Sequence, residues 1–149
     1  MVYDHEADFM KHVEKVQAWL AEIVQRLEER GLEHDRSKLS GLEREYYTQY
    51  GPRLGSVEFG SAEYHEVCTQ MARGMTLHYE ANRHHPEHFG DLGIAGMTLV
   101  DLVEMFCDWM AASERNSGKL NFTYLQERFK LSKQLSSILA NTEAMLRPS

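Results

Sequence analysis

The sequence predicts an all-α fold, a single helical bundle of about six helices, on three observations. Apolar residues recur at intervals of three and four along most of the chain, which is the spacing of amphipathic helices. No stretch alternates apolar and polar residues over the length of a useful strand. A chain of 149 residues with 42% hydrophobic content fits one buried core, so residues 1–149 are expected to form one domain.

Charge and composition narrow the classes of partner. The net charge of -7 argues against general nucleic-acid or membrane-surface binding, because such proteins attract phosphates with basic patches. No apolar run approaches the ~20 residues of a membrane span, and the amino terminus lacks the pattern of a signal peptide. We expect a soluble, cytoplasmic protein. Cys68 and Cys107 form no CxxC pair and lie in apolar helical surroundings, which predicts buried thiols.

The first predicted helix runs from Asp4 to Arg30 and ends at Gly31. Its apolar residues share one face, and His12 lies near that inward face. An inward histidine is more often a hydrogen-bonded core residue than a metal ligand. The apolar residues that define the face are Phe9, Val13, Val16, Leu20, Val24 and Leu27.

Two further segments lead to the histidine-rich part of the chain. A short helix from about Leu39 to Tyr50 is predicted to stop at Gly51-Pro52, before a loop that ends near Ser61. Ser61 can cap the next helix, which runs to at least His78. If that helix continues, positions 82 and 85 return to the face of His78.

A strongly apolar helix is predicted from Leu99 to about Ser113, with Thr98 as its cap. Asp101, Glu104 and Asp108 stand at i, i+3 and i+7, which places three carboxylates on one stripe. Burying bare carboxylates is costly, so a cationic group should face this stripe. The alternative is a solvated outer face. Two shorter helices follow, the last capped by Ser132.

Histidines and acids are concentrated between His78 and Asp108, where four of the eight histidines fall within eleven residues. A His34-Asp35 pair lies upstream. Neutral imidazole together with carboxylate oxygen suits zinc, iron, manganese or similar ions. A site with open positions lowers the pKa of a bound water. Hydrolysis at phosphorus is the reaction that such a site performs most naturally.

The order of these groups resembles the HD-domain superfamily of metal-dependent phosphohydrolases, which reads H…HD…D along a helical bundle. The HDRSK sequence is similar to that family's HDxxK, and DWMAA is similar to the helix that carries its last aspartate. The chain also resembles a family of small, uncharacterised phage and bacterial proteins with an HHPEH signature, over residues 12–115. The residues that carry the resemblance are His12, His34, Asp35, Ser37, Lys38, His78, His84, His85 and Asp108.

The resemblance implies a metal centre with one or two divalent ions (Mn, Fe, Zn, Co, Ni or Mg). The implied ligands of a first ion are His12, His34, Asp35 and Asp108. The candidates for a second ion are His78, His84 and His85, with Asp35 bridging. One of these three histidines is alternatively a substrate contact or a group that supports a ligand.

Other charged residues are candidates for substrate binding and proton transfer. Lys38 matches the family lysine and would meet a substrate phosphate, and Arg83 and Arg115 join it on charge grounds. Glu104 would bind metal, orient a ligand histidine or act as general base. Glu87 would donate a proton to the leaving group, or it only hydrogen-bonds its loop.

The resulting hypothesis is a phosphomonoesterase or phosphodiesterase that uses a metal-activated water. Its substrate would be a nucleotide or another small phosphorylated metabolite, and a homo-oligomer is compatible with the sequence. Two alternatives stay open: an HD-fold di-iron oxygenase, and a non-catalytic metal-binding regulatory protein.

Overall fold

The computed structural model describes residues 3–58, 60–114 and 118–147, and every regular element in these ranges is helical. The all-α class is therefore confirmed. The chain divides into two units, residues 1–34 and 35–149, and each is described by itself. Among the described helices, none combines the length and the apolar character needed to cross a membrane.

The first unit consists of helix α1 (His5–Glu33). Its N-terminus is capped by Asp4, whose carboxylate accepts a 3.0 Å hydrogen bond from the backbone N–H of Ala7. The helix does not end at Gly31 as predicted. Gly31 has no left-handed φ and stays helical, so α1 gains most of another turn. None of the residues of α1, all of which the structure describes, is buried.

The second unit begins with a 3-10 turn (Arg36–Leu39), followed by α2 (Gly41–Leu54). The predicted stop at Gly51-Pro52 is wrong, because Pro52 lies inside the last turn of α2. The turn still closes there, since Gly55 N–H donates to the Gly51 carbonyl at 2.8 Å.

The helix predicted from Ser61 onwards is present but broken. It forms α3 (Ala62–Gln70) and α4 (Ala72–Ala81), which meet at Met71. The Ser61 cap is confirmed, with its hydroxyl accepting from Tyr64 N–H at 3.1 Å. Since α4 ends at Ala81, the residues that follow are not helical: Asn82 and His85 have extended backbone, and residues 83–84 form a turn.

Helix α5 (Leu99–Ser113) follows a 3-10 segment (Pro86–Gly96) and has the predicted bounds. Thr98 and Asp101 form a reciprocal capping box, in which the Asp101 carboxylate accepts from Thr98 N–H at 2.9 Å. This box fixes the first turn of α5, and so also the direction in which Asp101, Glu104 and Asp108 project from the helix.

The apolar face of α5 packs on α6 (Phe122–Phe129) and α7 (Lys133–Leu146). The rings of Trp109 and Phe129 stack with centroids 4.9 Å apart. This packing holds α5 in place, so the opposite side of the helix can present polar groups at a fixed position. The buried core consists of Met105, Phe106, Trp109, Leu125, Leu131 and Leu139.

The two cysteines differ in their surroundings. Cys68 on α3 is half-buried, whereas Cys107 on α5 is exposed. The buried thiol predicted at Cys107 is therefore wrong, because an almost entirely apolar sequence does not show which side of α5 faces the core.

Helix α4 approaches α2 at Gly74, and this contact provides a stability test. A Cβ at position 74 would lie 2.6 Å from the Cβ of Tyr46 and 2.8 Å from its Cγ. We expect Gly74→Ala to lower the free energy of unfolding by about 1–3 kcal/mol, since atoms next to the backbone cannot move away cheaply. Gly51→Ala is the matched helical control, because nothing lies within 4 Å of its added Cβ. Chemical denaturation of both variants tests the contact, and equal stability would contradict it.

Candidate metal centre

Asp35 opens the site from an unusual backbone conformation. Its φ of 56° and ψ of 16° lie in the left-handed region, where aspartate and asparagine are tolerated better than most residues. The carboxylate sits at the start of the 3-10 turn, in which side chains three residues apart eclipse each other. Lys38 accordingly donates from Nζ to Asp35 Oδ2. The turn therefore fixes a carboxylate and an ammonium side by side.

His78 is buried on α4, and its two ring nitrogens face different carboxylates. Nδ1 lies 2.8 Å from Oε1 of Glu43, a 5% exposed residue of α2, while Nε2 lies 3.3 Å from Asp35 Oδ1. Glu43 also accepts from Ser37 Oγ at 3.1 Å. The shorter contact is to Glu43, which accepts from Nδ1, so Nε2 is the ring nitrogen left to bind a metal ion.

His84 repeats this arrangement from the other side of the site. It is 1% exposed, its Nδ1 lies 3.1 Å from Oε1 of Glu104 on α5, and its Nε2 lies 3.4 Å from Asp35 Oδ1. Burial alone would lower the pKa of His84, but hydrogen bonds to Asp35 and Glu104 raise it. Glu104 therefore orients His84, one of the three roles predicted for it.

His85 completes the group. Its Nε2 lies 2.8 Å from Nε2 of His78, and its ring centroid is 4.2 Å from that of His84. Burial, together with the neighbouring His84 and His78, lowers the pKa of His85 to about 2. His85 is thus neutral at physiological pH, which is the state in which imidazole binds metals.

These four side chains converge. One oxygen of Asp35 and one nitrogen each of His78, His84 and His85 lie within 4.8 Å of one another. Three imidazoles and a carboxylate are a suitable donor set for zinc, iron, manganese, cobalt or nickel. Two of the imidazoles are also held by buried carboxylates at their second nitrogen, as metal-binding histidines usually are. The residues therefore fit a divalent ion.

The carboxylate itself is kept ionised. Burial would raise the pKa of Asp35, but hydrogen bonds and charges from His84 and Lys38 hold it well below its usual range. Lys38 also lies over the ring of Tyr47, 4.6 Å from its centroid. An anionic oxygen is thus present among the three imidazoles at any physiological pH.

A cavity of about 540 Å³ is lined by Asp35, His78 and His85 and is of the size that accepts a small metabolite. Burial is the main cause that raises the pKa of each tyrosine in the cavity wall, and the pKa of Tyr79 is raised to about 12. These phenols are therefore neutral hydrogen-bond donors. Its charged and phenolic lining residues include Lys38, Lys119, Arg128, Glu58, Glu87, Asp108, Tyr47, Tyr64, Tyr79 and Tyr124.

The structure brings together one of the two predicted ligand sets. Asp35 and the three later histidines form one group, which is the set predicted for a second ion with Asp35 as the bridging residue. Asp108 is not in that group. It lies in the cavity wall, one turn of α5 beyond Glu104, which takes the place nearest the histidines. Its predicted role as a ligand of a first ion stays a prediction.

His12 and His34 were predicted to hold one ion together, and that pairing is wrong. His12 lies inside α1 and His34 is the residue that ends it, 22 positions later on the same unbroken helix. At 1.5 Å per residue, the two are about 33 Å apart. A ligand role for either histidine alone stays a prediction.

Arg83 binds a carboxylate of the protein instead of facing the cavity. Its guanidinium donates to both oxygens of Asp101, at 3.0 and 3.2 Å, and lies over the ring of Phe89. Asp101 is 1% exposed. This pair supplies the cation that was expected to face the acidic stripe, and a phosphate-binding role for Arg83 stays a prediction. Arg115, the other predicted phosphate ligand, lies outside the described residues.

Glu87 lies in the cavity wall but is already paired. Its Oε1 accepts from Arg128 at 2.7 Å, while Oε2 is buried and has no hydrogen-bond partner among the described residues. Arg128, on α6, was not among the candidates. An arginine-bound carboxylate is an unsuitable proton donor, so the interaction favours a binding or structural role for Glu87.

Glu43 is the important residue that sequence reasoning missed. The segment Ser40-Gly41-Leu42-Glu43 has the form of a capping box, which predicts a local role for the glutamate. Ser40 makes no side-chain cap bond, and Glu43 instead reaches His78, 35 positions later. Only the folded structure shows that Glu43 is buried and that Ser40 does not cap α2 with its side chain.

The arrangement defines a candidate divalent-metal centre in an all-helical protein. The chain belongs to a family of unknown function, DUF5662, whose profile matches residues 1–145. No curated protein matches the chain, and no solved structure does. The family description carries no activity.

Removing the carboxylate behind His78 tests the centre. We expect Glu43→Ala to weaken Zn²⁺ or Co²⁺ binding by about 10–100-fold, because His78 loses the partner that fixes its tautomer and orientation. Glu45→Ala, an exposed glutamate two positions along α2, is the matched control. Isothermal titration calorimetry of both variants gives the comparison. Unchanged affinity in Glu43→Ala would show that His78 is not a ligand.

The Arg83–Asp101 pair predicts a pH-dependent stability. Burial would raise the pKa of Asp101, but Arg83 and Thr98 lower it. The stabilisation is therefore fully present above the ordinary aspartate pKa of ~3.9 and is lost as the pH falls through the folded-state value. Arg83→Ala should cost about 1 kcal/mol at neutral pH, discounted because the arginine is half exposed. Urea titrations at decreasing pH should show this difference shrinking, and a constant difference would contradict the assignment.

Proposed function

We propose that this protein is a metal-dependent phosphohydrolase acting on a small phosphorylated metabolite, with a nucleotide as the first substrate to test. The observation that carries the proposal is the convergence of Asp35, His78, His84 and His85 beside a cavity of about 540 Å³. The HDRSK motif followed by the later histidines resembles the sequence order of the HD-domain phosphohydrolases, which supports the same reaction class.

The four converging side chains would hold one divalent ion. When bound, such an ion polarises a phosphoryl oxygen and lowers the pKa of water towards neutrality. Glu43 and Glu104 keep the Nε2 atoms of His78 and His84 aimed inwards, because each accepts from the corresponding Nδ1. His85 needs no proton removed before binding, since its pKa is about 2.

Lys38 is the residue best placed to meet a phosphate near the centre. It lies beside Asp35 and lines the cavity, so its ammonium balances part of the negative charge that develops in a phosphoryl-transfer transition state. Lys119 and Arg128 line the same cavity and extend the positive charge away from the centre.

The tyrosines of the cavity give the remainder of the ligand its environment. Tyr47 lies edge-on to His78, with ring centroids 5.7 Å apart, and Tyr79 lies 4.9 Å from His85. Their neutral phenols offer hydrogen bonds and flat apolar faces without adding charge. A ligand with an aromatic or sugar portion next to its phosphate matches these walls.

The oxygenase hypothesis requires two irons, and a carboxylate-poor set of three histidines and one aspartate does not favour it. Elemental analysis distinguishes the phosphohydrolase from the di-iron oxygenase. One equivalent of a divalent metal with phosphatase activity supports the proposal, whereas two irons without phosphatase activity would replace it. Metal binding without turnover on any phosphorylated compound would favour the regulatory alternative.

Asp35→Asn is the sharpest activity test, because asparagine tolerates the left-handed backbone of position 35 and removes only the charge. We expect kcat/KM on the best substrate of a nucleotide-phosphatase panel to fall by about 10³-fold or more, with less bound metal. Helical content should stay near wild type. Asp91→Asn, an exposed residue of the 3-10 segment, serves as control. Full turnover in Asp35→Asn would mean that the assigned centre is wrong.

A further inference from the structure

Helix α1 has a regular pattern of apolar residues that plays no part in the metal centre. Positions separated alternately by four and three residues are apolar over three successive heptads, which is the seam pattern of a coiled coil. These positions are Phe9, Val13, Val16, Leu20, Ile23 and Leu27. Met10, Trp19 and Val24 flank this seam, and Trp19 is 72% exposed.

Among residues 3–34, the described part of the first unit, no second element covers this seam. Among its described residues α1 is the regular element, and a single helix cannot bury its own apolar stripe. Four of the six seam positions, Phe9, Val16, Leu20 and Ile23, are exposed. An exposed apolar stripe marks an interaction site rather than an ordinary solvent-facing helix.

The ends of the seam indicate which partner fits. The next seam position before Phe9 is Glu6, and the next one after Leu27 is Arg30. In an antiparallel pair of identical helices, each Glu6 lies opposite the Arg30 of the second copy. The same register sets Phe9 against Leu27, and the centre of the seam is formed by Val16 and Leu20. A parallel pair would place identical charges together at both ends, which is unfavourable.

We propose that α1 forms an antiparallel coiled-coil dimer with α1 of a second copy of this chain. The interface is isologous, so two copies close it and no apolar seam is left over. Antiparallel pairing also aligns the two helix dipoles favourably. Trp19 lies beside the centre of the seam, where the two copies of the residue approach each other across the dimer axis.

The first experiment is sedimentation equilibrium of the full chain at micromolar concentrations. The wild-type protein should be a dimer, and Leu20→Glu should weaken association by at least about 100-fold, because it buries two like charges at the centre of the seam. Ala18→Glu, on the opposite face of α1, is the matched control and should remain dimeric. A monomeric wild-type protein, or equal effects of both variants, would overturn the proposal.

A charge-reversal series tests the pairing without disturbing the apolar seam. Glu6→Arg and Arg30→Glu should each weaken the dimer by about tenfold, and the double variant should return to within about threefold of wild type, because opposite charges again face each other. These residues are 24 positions apart, so they do not interact within one helix. Dimers that are insensitive to either single reversal would contradict the antiparallel arrangement.

Discussion

The site depends on two buried carboxylate–imidazole hydrogen bonds. Glu43 and Glu104 each accept from the Nδ1 of one histidine, and this fixes both the tautomer and the direction of the ring. Without those two acceptors, His78 and His84 could rotate or change tautomer, and their Nε2 atoms would no longer converge on Asp35. The geometry of the centre therefore depends on Glu43 and Glu104 as much as on the histidines themselves.

The helical framework positions those two acceptors independently. Glu43 lies in the first turn of α2 and Glu104 in the second turn of α5. The packing of Gly74 on Tyr46 sets the approach of α4 to α2, and the Arg83–Asp101 pair with the Thr98 cap sets the start of α5. Ser37 donates to Glu43 and Asn82 donates to Ser37, so two further hydrogen bonds hold the carboxylate that orients His78.

Sequence reasoning predicted the helical class, the bounds of α5 and the caps at Ser61 and Thr98, because local periodicity and capping chemistry determine these features. It also found every member of the converging group, since histidines and HD pairs are conspicuous. It did not predict that Arg83 pairs with Asp101, because a sequence does not show which partner a charged side chain meets. Glu43 was missed for the same reason: its histidine lies 35 positions away, and only tertiary packing brings the two together.

X-ray absorption spectroscopy of the cobalt- or zinc-loaded protein tests the central claim most directly, because it counts the imidazoles around the ion without requiring a substrate. The account predicts three imidazole ligands and at least one carboxylate oxygen in wild type, falling to two imidazoles in His84→Ala. A spectrum without imidazole scattering, or one unchanged in that variant, would contradict the assignment of the centre.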